Sequence, residues 1–386
     1  MKNHQVLNKT DFRKLIPGVF PRFSTDKTLG IVVDIPRDLE EDNPDWKNRR
    51  ELAEQWTAHL RSVCRELGLE EVLLIAYPDV GSNNADLPEK GYVCQSLPAA
   101  AEALPGTGQP RFFSDIFSKC QLFLAPTEYS TTAPLKVAAG KYGFRAATMP
   151  GFSEKMIPAL KIDYNEVNRL VGILKANLDS ARGADVLFSV EGDKEYDIRF
   201  DLRWRKAHAS GGRFPDKGTA GNLPSGEAYI VPYEGENRYR SQTEGILPVQ
   251  VSEDILLFRV KENRAVSVEG NGPSLQRERE RLAKDPAYGN MAELGFGVLD
   301  SFGIQPVGSI LLDEKLGFHV AFGRSEHFGG QVGPAQFSSP SAVIHLDRIY
   351  IPATQPRIQV RAITLDMGRG KDKPLMEDGL YLLFQD

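Results

Sequence analysis

The sequence predicts an α/β N-terminal domain with a mostly parallel sheet, followed by an α+β C-terminal domain, the two covering residues 1–184 and 185–386. Two observations carry this. Up to residue 184, short runs of β-branched and aliphatic residues alternate with amphipathic helical runs, the pattern of successive βαβ units. After A-R-G-A-D (181–185) the helical signals thin out and strand-like runs follow one another. The length agrees, since 386 residues suit about two domains at roughly 150 residues each.

In the first half, L-G-I-V-V-D-I-P (29–36) reads as a strand and R-R-E-L-A-E-Q-W-T-A-H-L-R-S-V-C-R-E-L-G (49–68) as an amphipathic helix closed by Gly68. E-V-L-L-I-A-Y-P (71–78) and C-Q-L-F-L-A-P (120–126) are strands, with L-P-A-A-A-E-A-L (97–104) as a helix between them. T-T-A-P-L-K-V-A-A-G-K-Y-G (131–143) is a capped helix, R-A-A-T-M-P-G the next strand, and D-Y-N-E-V-N-R-L-V-G-I-L-K-A-N-L (163–178) a strongly amphipathic helix. In the second half V-L-F-S-V, E-Y-D-I-R-F-D-L-R, A-Y-I-V-P and D-I-L-L-F-R-V-K-E-N-R-A-V-S-V-E-G are strands, the last folded on a K-E-N-R hairpin turn. L-Q-R-E-R-E-R-L-A-K-D-P (275–286) is a helix whose alternating charges predict a solvated face.

Composition excludes several function classes. The chain is 41% hydrophobic and 26% charged, with a net charge of -5 and a pI near 5.8, so no basic field favours nucleic acid. Neither G-x-G-x-x-G nor G-x-x-x-x-G-K-[ST] occurs. No apolar run approaches the roughly 20 residues of a membrane span. The N-terminal M-K-N-H-Q-V-L-N-K-T-D lacks a signal-peptide core, so the expected location is cytoplasmic. Cys64, Cys94 and Cys120 are sparse and unpaired in spacing, which argues against a disulfide framework; Cys64 and Cys120 read as core packing.

The chemistry-bearing residues concentrate in the second half. S-A-V-I-H-L-D-R-I-Y-I (341–351) has the apolar content of a buried strand, yet His345 and Asp347 share one of its faces. Two polar groups there cost free energy unless a hydrogen bond, a salt bridge or a metal ion satisfies them. Glu227 follows the turn G-N-L-P-S-G, Glu293 stands in A-E-L-G-F-G, and His319 lies inside the apolar strand of D-E-K-L-G-F-H-V-A-F-G. Each alone has an ordinary reading as a cap, a loop carboxylate, a core histidine or an ion pair. Together, three carboxylates and two imidazoles suit one or two divalent ions such as Zn, Co or Mn.

In order, N-L-P-S-G-E, A-E-L-G-F-G, D-E-K-L-G-F-H-V-A-F-G and I-H-L-D resemble the landmarks of the thermophilic-type metalloaminopeptidases, aminopeptidase T and aminopeptidase S. The resemblance covers residues 184 to 350. It implies a pair of divalent metals held by Glu227, Glu293, His319, His345 and Asp347, hydrolysis of an N-terminal peptide bond or small amide, and a homodimer. One departure stands out: where that family has a functional Tyr seven residues after its first ligand His, this chain has Glu326, within G-R-S-E-H-F-G-G. His327 or Arg324 could then donate a hydrogen bond to a developing oxyanion, and Glu293 or Glu326 could move a proton or hold a substrate ammonium. The 2,5-dihydroxypyridine ring-cleaving dioxygenases belong to the same superfamily and use one Fe(II). Their pattern implies the alternative, with His319, His345 and Asp347 as the facial triad of a mononuclear enzyme acting on a hydroxylated aromatic or heteroaromatic ring. In a third, metal-free reading the carboxylates would need Arg203, Arg205, Lys315 or Arg324 as partners.

Overall fold

A computed structural model describes residues 6–384, so the first five residues of the N-terminal stretch lie outside it. The chain forms two compact units. One comprises the chain up to Asn168 together with Ser210–Ser225 and Val307–Leu312; the other comprises Arg169–Ala209, Gly226–Pro306 and the chain from Asp313 onward.

The first unit is built on a seven-stranded sheet of β1 (Thr28–Ile35), β2 (Glu71–Pro78), β3 (Lys90–Cys94), β4 (Gly108–Phe112), β5 (Leu122–Thr127), β6 (Arg145–Pro150) and, later in the chain, β10 (Ala220–Asn222). The strand order is β10-β6-β5-β1-β2-β3-β4. The run from β10 to β2 is parallel, and β3 and β4 add an antiparallel edge. Buried Val32, Ile75, Tyr77 and Phe123 pack beneath Phe113, Ile116, Phe117 and Leu135, each aromatic or branched side chain contributing about 2 kcal/mol by burial. At the end of β1 the buried Asp34 carboxylate accepts the backbone N–H groups of Glu128 (2.8 Å to Oδ1) and Tyr129 (3.0 Å to Oδ2).

The second unit holds an antiparallel sheet and a smaller one. The larger contains β7 (Gly183–Val190), β8 (Lys194–Asp201), β12 (Glu244–Val251), β13 (Asp254–Lys261), β14 (Arg264–Gly270), β18 (Ile358–Asp366), β19 (Asp372–Glu377) and β20 (Leu380–Tyr381). The smaller runs β17-β16-β15-β11-β9, that is His345–Ile349, Phe318–Gly323, Met291–Gly297, Glu227–Ile230 and His208–Ser210, and is antiparallel from β17 to β11. Alternation along β16 divides its side chains. Phe318 and Phe322 turn toward the larger sheet, Phe318 lying 6.2 Å from Phe188 and Phe322 lying 5.1 Å from Phe258 between ring centroids. His319 and Ala321 therefore face the other way.

Several expectations are corrected. The helix expected at 97–104 is a 3-10 turn at Ala101–Ala103 followed by a short helix at Leu104–Thr107, since Pro98 and Pro105 interrupt a regular run. The helix expected at 49–68 spans Pro44–Val63, started by Asn43, whose side chain accepts the Trp46 N–H; Gly68 ends a following turn at φ +72°. The helix at Pro273–Lys284 has the expected solvated face, with Arg277, Arg279, Glu280 and Lys284 exposed, while on its other side Glu278 is buried and accepts the Tyr288 hydroxyl at 2.6 Å. The K-E-N-R hairpin turn is present, with Glu262 and Asn263 at positive φ. All three cysteines are buried and free. No described helix is long and apolar enough to cross a membrane.

Candidate metal centre

The outward face of the smaller sheet gathers Glu227, Glu293, His319, His345 and Asp347. Register explains how residues so distant in sequence meet. Asp347 on β17 pairs with Ala321 on β16, and Ala321 pairs with Glu293 on β15. One step along the same face, His319 pairs with Gly295; one further, Gly297 pairs with Glu227 on β11. Paired residues share a face, so all five donors stand on it. A register shift in β15 between Met291 and Glu293 marks a bulge, a device that re-aims a side chain at the end of a ladder. His345 opens β17 rather than lying mid-strand as expected, opposite Gly323.

The positions between the donors are small. A Cβ at Gly295 would fall 2.0 Å from His319 Nε2, and one at Gly297 would fall 2.1 Å from the carbonyl carbon of Lys315. With Ala321 and Gly323 they form a floor on which the larger donors stand.

The donors fall into two groups that share Glu293: Glu227, Glu293 and His319, and Glu293, His345 and Asp347. Within each group the ligand-capable atoms lie within 4.8 Å of one another. His319 Nε2 is 3.4 Å from Glu293 Oε1 and 3.7 Å from Glu227 Oε2. His345 Nε2 is 3.2 Å from Glu293 Oε2 and 3.6 Å from Asp347 Oδ1. Donors around one tetrahedral ion at the usual bond length of about 2.0–2.1 Å are about 3.3 Å apart, so these separations suit an ion. The imidazoles are also oriented for one. Each Nδ1 meets a backbone carbonyl, Gly317 for His319 at 3.3 Å and Arg324 for His345 at 2.7 Å. A carbonyl can only accept, so Nδ1 carries the proton and Nε2 is left toward the carboxylates. Glu227 Oε2 is buried and without a hydrogen-bond partner, a costly arrangement that a cation would relieve.

Electrostatics follow from the same contacts. Burial opposes charge on His319, yet Glu293 and then Glu227 raise it to about 9. Burial likewise opposes a charged His345, and Asp347 and Glu293 hold it well above the ordinary imidazole range. In return, against burial, His319 and His345 hold Glu293 far below the usual carboxylate range.

The remaining candidates lie beside the cluster, not in it. Arg324 and Glu326 form a two-pronged ion pair at 2.6 and 2.9 Å, so each occupies the other. The His327 ring stands 5.2 Å from that of His345, edge to face. Burial and the neighbouring His345 lower it to about 4, so it is neutral near pH 7. Of the cations named as alternative partners, Lys315 pairs with Glu227, whereas Arg203 pairs with Asp201, Arg205 with Glu234 and Glu236, and Arg324 with Glu326.

Sequence reasoning missed Gly295, Gly297, Glu314 and Tyr229. Tyr229 pairs with Gly295 and so shares the donor face; burial, then Glu293 and Glu227, hold its phenol well above the ordinary range. Its ring bridges His208, stacked at 5.1 Å, and Phe328 at 4.8 Å, making an aromatic wall that continues to His345. The glycines carried a signal: Glu293, Gly295 and Gly297 recur with a period of two, so one strand face combines a carboxylate with missing side chains.

No protein-family model matches the chain, and no curated protein matches it. Among solved structures it is similar to 2,5-dihydroxypyridine dioxygenase from Pseudomonas putida KT2440, with a TM-score of 0.57 and 14% identity over 97% of this chain and 96% of that one. It has that fold. The four aminopeptidase-like motifs stand without a matching aminopeptidase family.

Proposed function

We propose that this chain is a metal-dependent enzyme whose centre takes two divalent ions with Glu293 shared between them, and that it hydrolyses an amide or N-terminal peptide bond of a small substrate. The observation that carries the two-ion part is the division of the donors into two groups joined by one carboxylate, while the hydrolytic part rests on the resemblance of the four motifs to the metalloaminopeptidases. A bound pair of Zn, Co or Mn ions would supply Lewis-acid polarisation of a carbonyl and an acidified water. The protein's own part is positional. The Gly317 and Arg324 carbonyls fix both imidazole tautomers. His327, whose ring lies 5.2 Å from that of His345, would hydrogen-bond a substrate oxygen as a neutral imidazole. Glu326 can hold a substrate ammonium only by leaving Arg324, so that role calls for the R-S-E-H turn to rearrange.

A second reading has its own support. The fold likeness to a ring-cleaving dioxygenase favours a mononuclear Fe(II) enzyme acting on a hydroxylated ring, and it lends nothing to hydrolysis. The aromatic wall of Tyr229, Phe328 and His327 suits a flat substrate. Against it, His319 does not fall in one group with His345 and Asp347, as the expected facial triad requires.

Metal content per chain separates the two, measured by elemental mass spectrometry on protein purified without chelators or an affinity metal. The two-ion reading expects about two Zn, Co or Mn per chain and about one in Glu227→Gln. A single iron, unaffected by Glu227→Gln, with oxygen uptake on hydroxylated pyridines, would replace it with the dioxygenase reading.

A further inference from the structure

The two donor groups differ in charge. Around Glu293, His345 and Asp347, no Lys or Arg lies within ion-pair distance among the described residues, and the ion-pair partners of these two carboxylates are imidazoles. Glu227 is different. Its Oε1 accepts Lys315 Nζ at 2.5 Å, and only Oε2 remains toward His319. The Lys315 side chain is 2% exposed, so water does not screen this ammonium. Its backbone is seated directly on β15, since a Cβ at Gly297 would stand 2.1 Å from the Lys315 carbonyl carbon. Among the described residues Lys315 also donates to the adjacent Glu314.

We propose that Lys315 is a built-in counter-ion of Glu227 that makes the two ion positions unequal, so that the position on Glu293, His345 and Asp347 fills first and the one on Glu227 and His319 fills only against the ammonium. This deepens the two-ion reading and rests on it. The first position offers an incoming cation two carboxylates that no fixed cation neutralises. The second offers the shared Glu293 and a Glu227 whose charge Lys315 already balances. A divalent ion brought beside a buried ammonium meets like-charge repulsion in a poorly screened site. Glu314 is the lever: by sharing Lys315 it draws the ammonium off Glu227, and it is the carboxylate left to hold Lys315 when an ion takes Glu227. Enzyme with one ion and enzyme with two are then separate states, selected by the concentration of free metal.

The test is a calorimetric titration of chelator-stripped full-length protein with cobalt(II) chloride, followed in parallel by visible absorption, which reports each filled position without any substrate. In the wild type the second equivalent binds at least about tenfold more weakly than the first. Lys315→Met tightens the second equivalent about tenfold and leaves the first unchanged. Glu314→Gln leaves Lys315 to Glu227 alone and weakens the second equivalent. A lysine with a purely architectural role cannot produce these opposite signs, and Glu314→Gln carries the test by itself if Lys315→Met does not fold. Two equal equivalents in the wild type, or a second equivalent that Lys315→Met leaves unchanged or weakens, would overturn the proposal while the two-ion reading stands. Absence of any cobalt binding by wild type would overturn both.

Discussion

Asp34 is a carboxyl group whose surroundings pull in opposite directions. Burial raises it to about 6, while the N–H groups of Glu128 and Tyr129, then Arg49, work to lower it. Its folded-state value therefore lies above the unfolded one, so the stability it contributes is complete below the ordinary value of 3.8 and is lost as pH rises through about 6. Asp34→Asn removes that titration. Chemical denaturation from pH 4 to 7 should show the variant gaining on the wild type by on the order of 2–3 kcal/mol across the interval. A constant gap would show that the backbone donors cancel burial. At this scale the sequence was partly legible. His345 and Asp347 could be placed on one face because strand alternation needs no tertiary knowledge. Lys315 was legible as one of four candidate partners for the carboxylates, but its choice of Glu227, 88 residues away, was not, because it depends on which strands neighbour each other. Glu326 was legible as a departure from a motif, but its engagement by Arg324 is a property of the local turn.

Strand β15 joins the two donor groups, because it supplies the shared carboxylate and the gaps beside it. Gly295→Ala would place a methyl group where His319 Nε2 now lies, 2.0 Å away. We expect loss of about one ion per chain with His345 and Asp347 still loaded, read by elemental analysis. If Gly295→Ala keeps the wild-type metal content, the floor is softer than its distances imply. The long regular elements were legible because their apolar period is strong, β1, β2 and β5 among them. The edge strands β3 and β4 were not, since K-G-Y-V-C and G-Q-P-R-F are short, contain Gly or Pro, and in β4 are largely exposed. Likewise a period of charges marked the helix Pro273–Lys284, but only the packed structure shows that Glu278 lies on its buried side.

For the molecule as a whole, the proposed two-ion centre would link folding to loading, since Glu227 Oε2 is buried without a hydrogen-bond partner. Ions that bind the folded chain alone should stabilise it by about 2.7 kcal/mol at a free concentration of 100 times the dissociation constant. Thermal denaturation should show a midpoint that rises with added metal and falls with chelator, and His345→Ala should lose most of that response. A midpoint indifferent to metal would argue that the cluster is an ion-pair network only. The alternation of strand and helix and the strand-rich second half were legible from pattern. The placement of 210–225 with the first unit was not, because β10 is three residues with no periodicity of their own, added to β6 from far along the chain. The floor of Gly295, Gly297, Ala321 and Gly323 also sets how this surface can be varied. Donors can be exchanged for other side chains that stand in the same openings, whereas the floor cannot be enlarged without evicting what stands over it. A saturation library should thus show two kinds of position: donor sites where substitution changes which cation or reaction is served, and floor sites where even Gly to Ala is damaging, since a Cβ at Gly295, Gly297 or Gly323 would stand 2.0, 2.1 or 2.3 Å from its nearest neighbour.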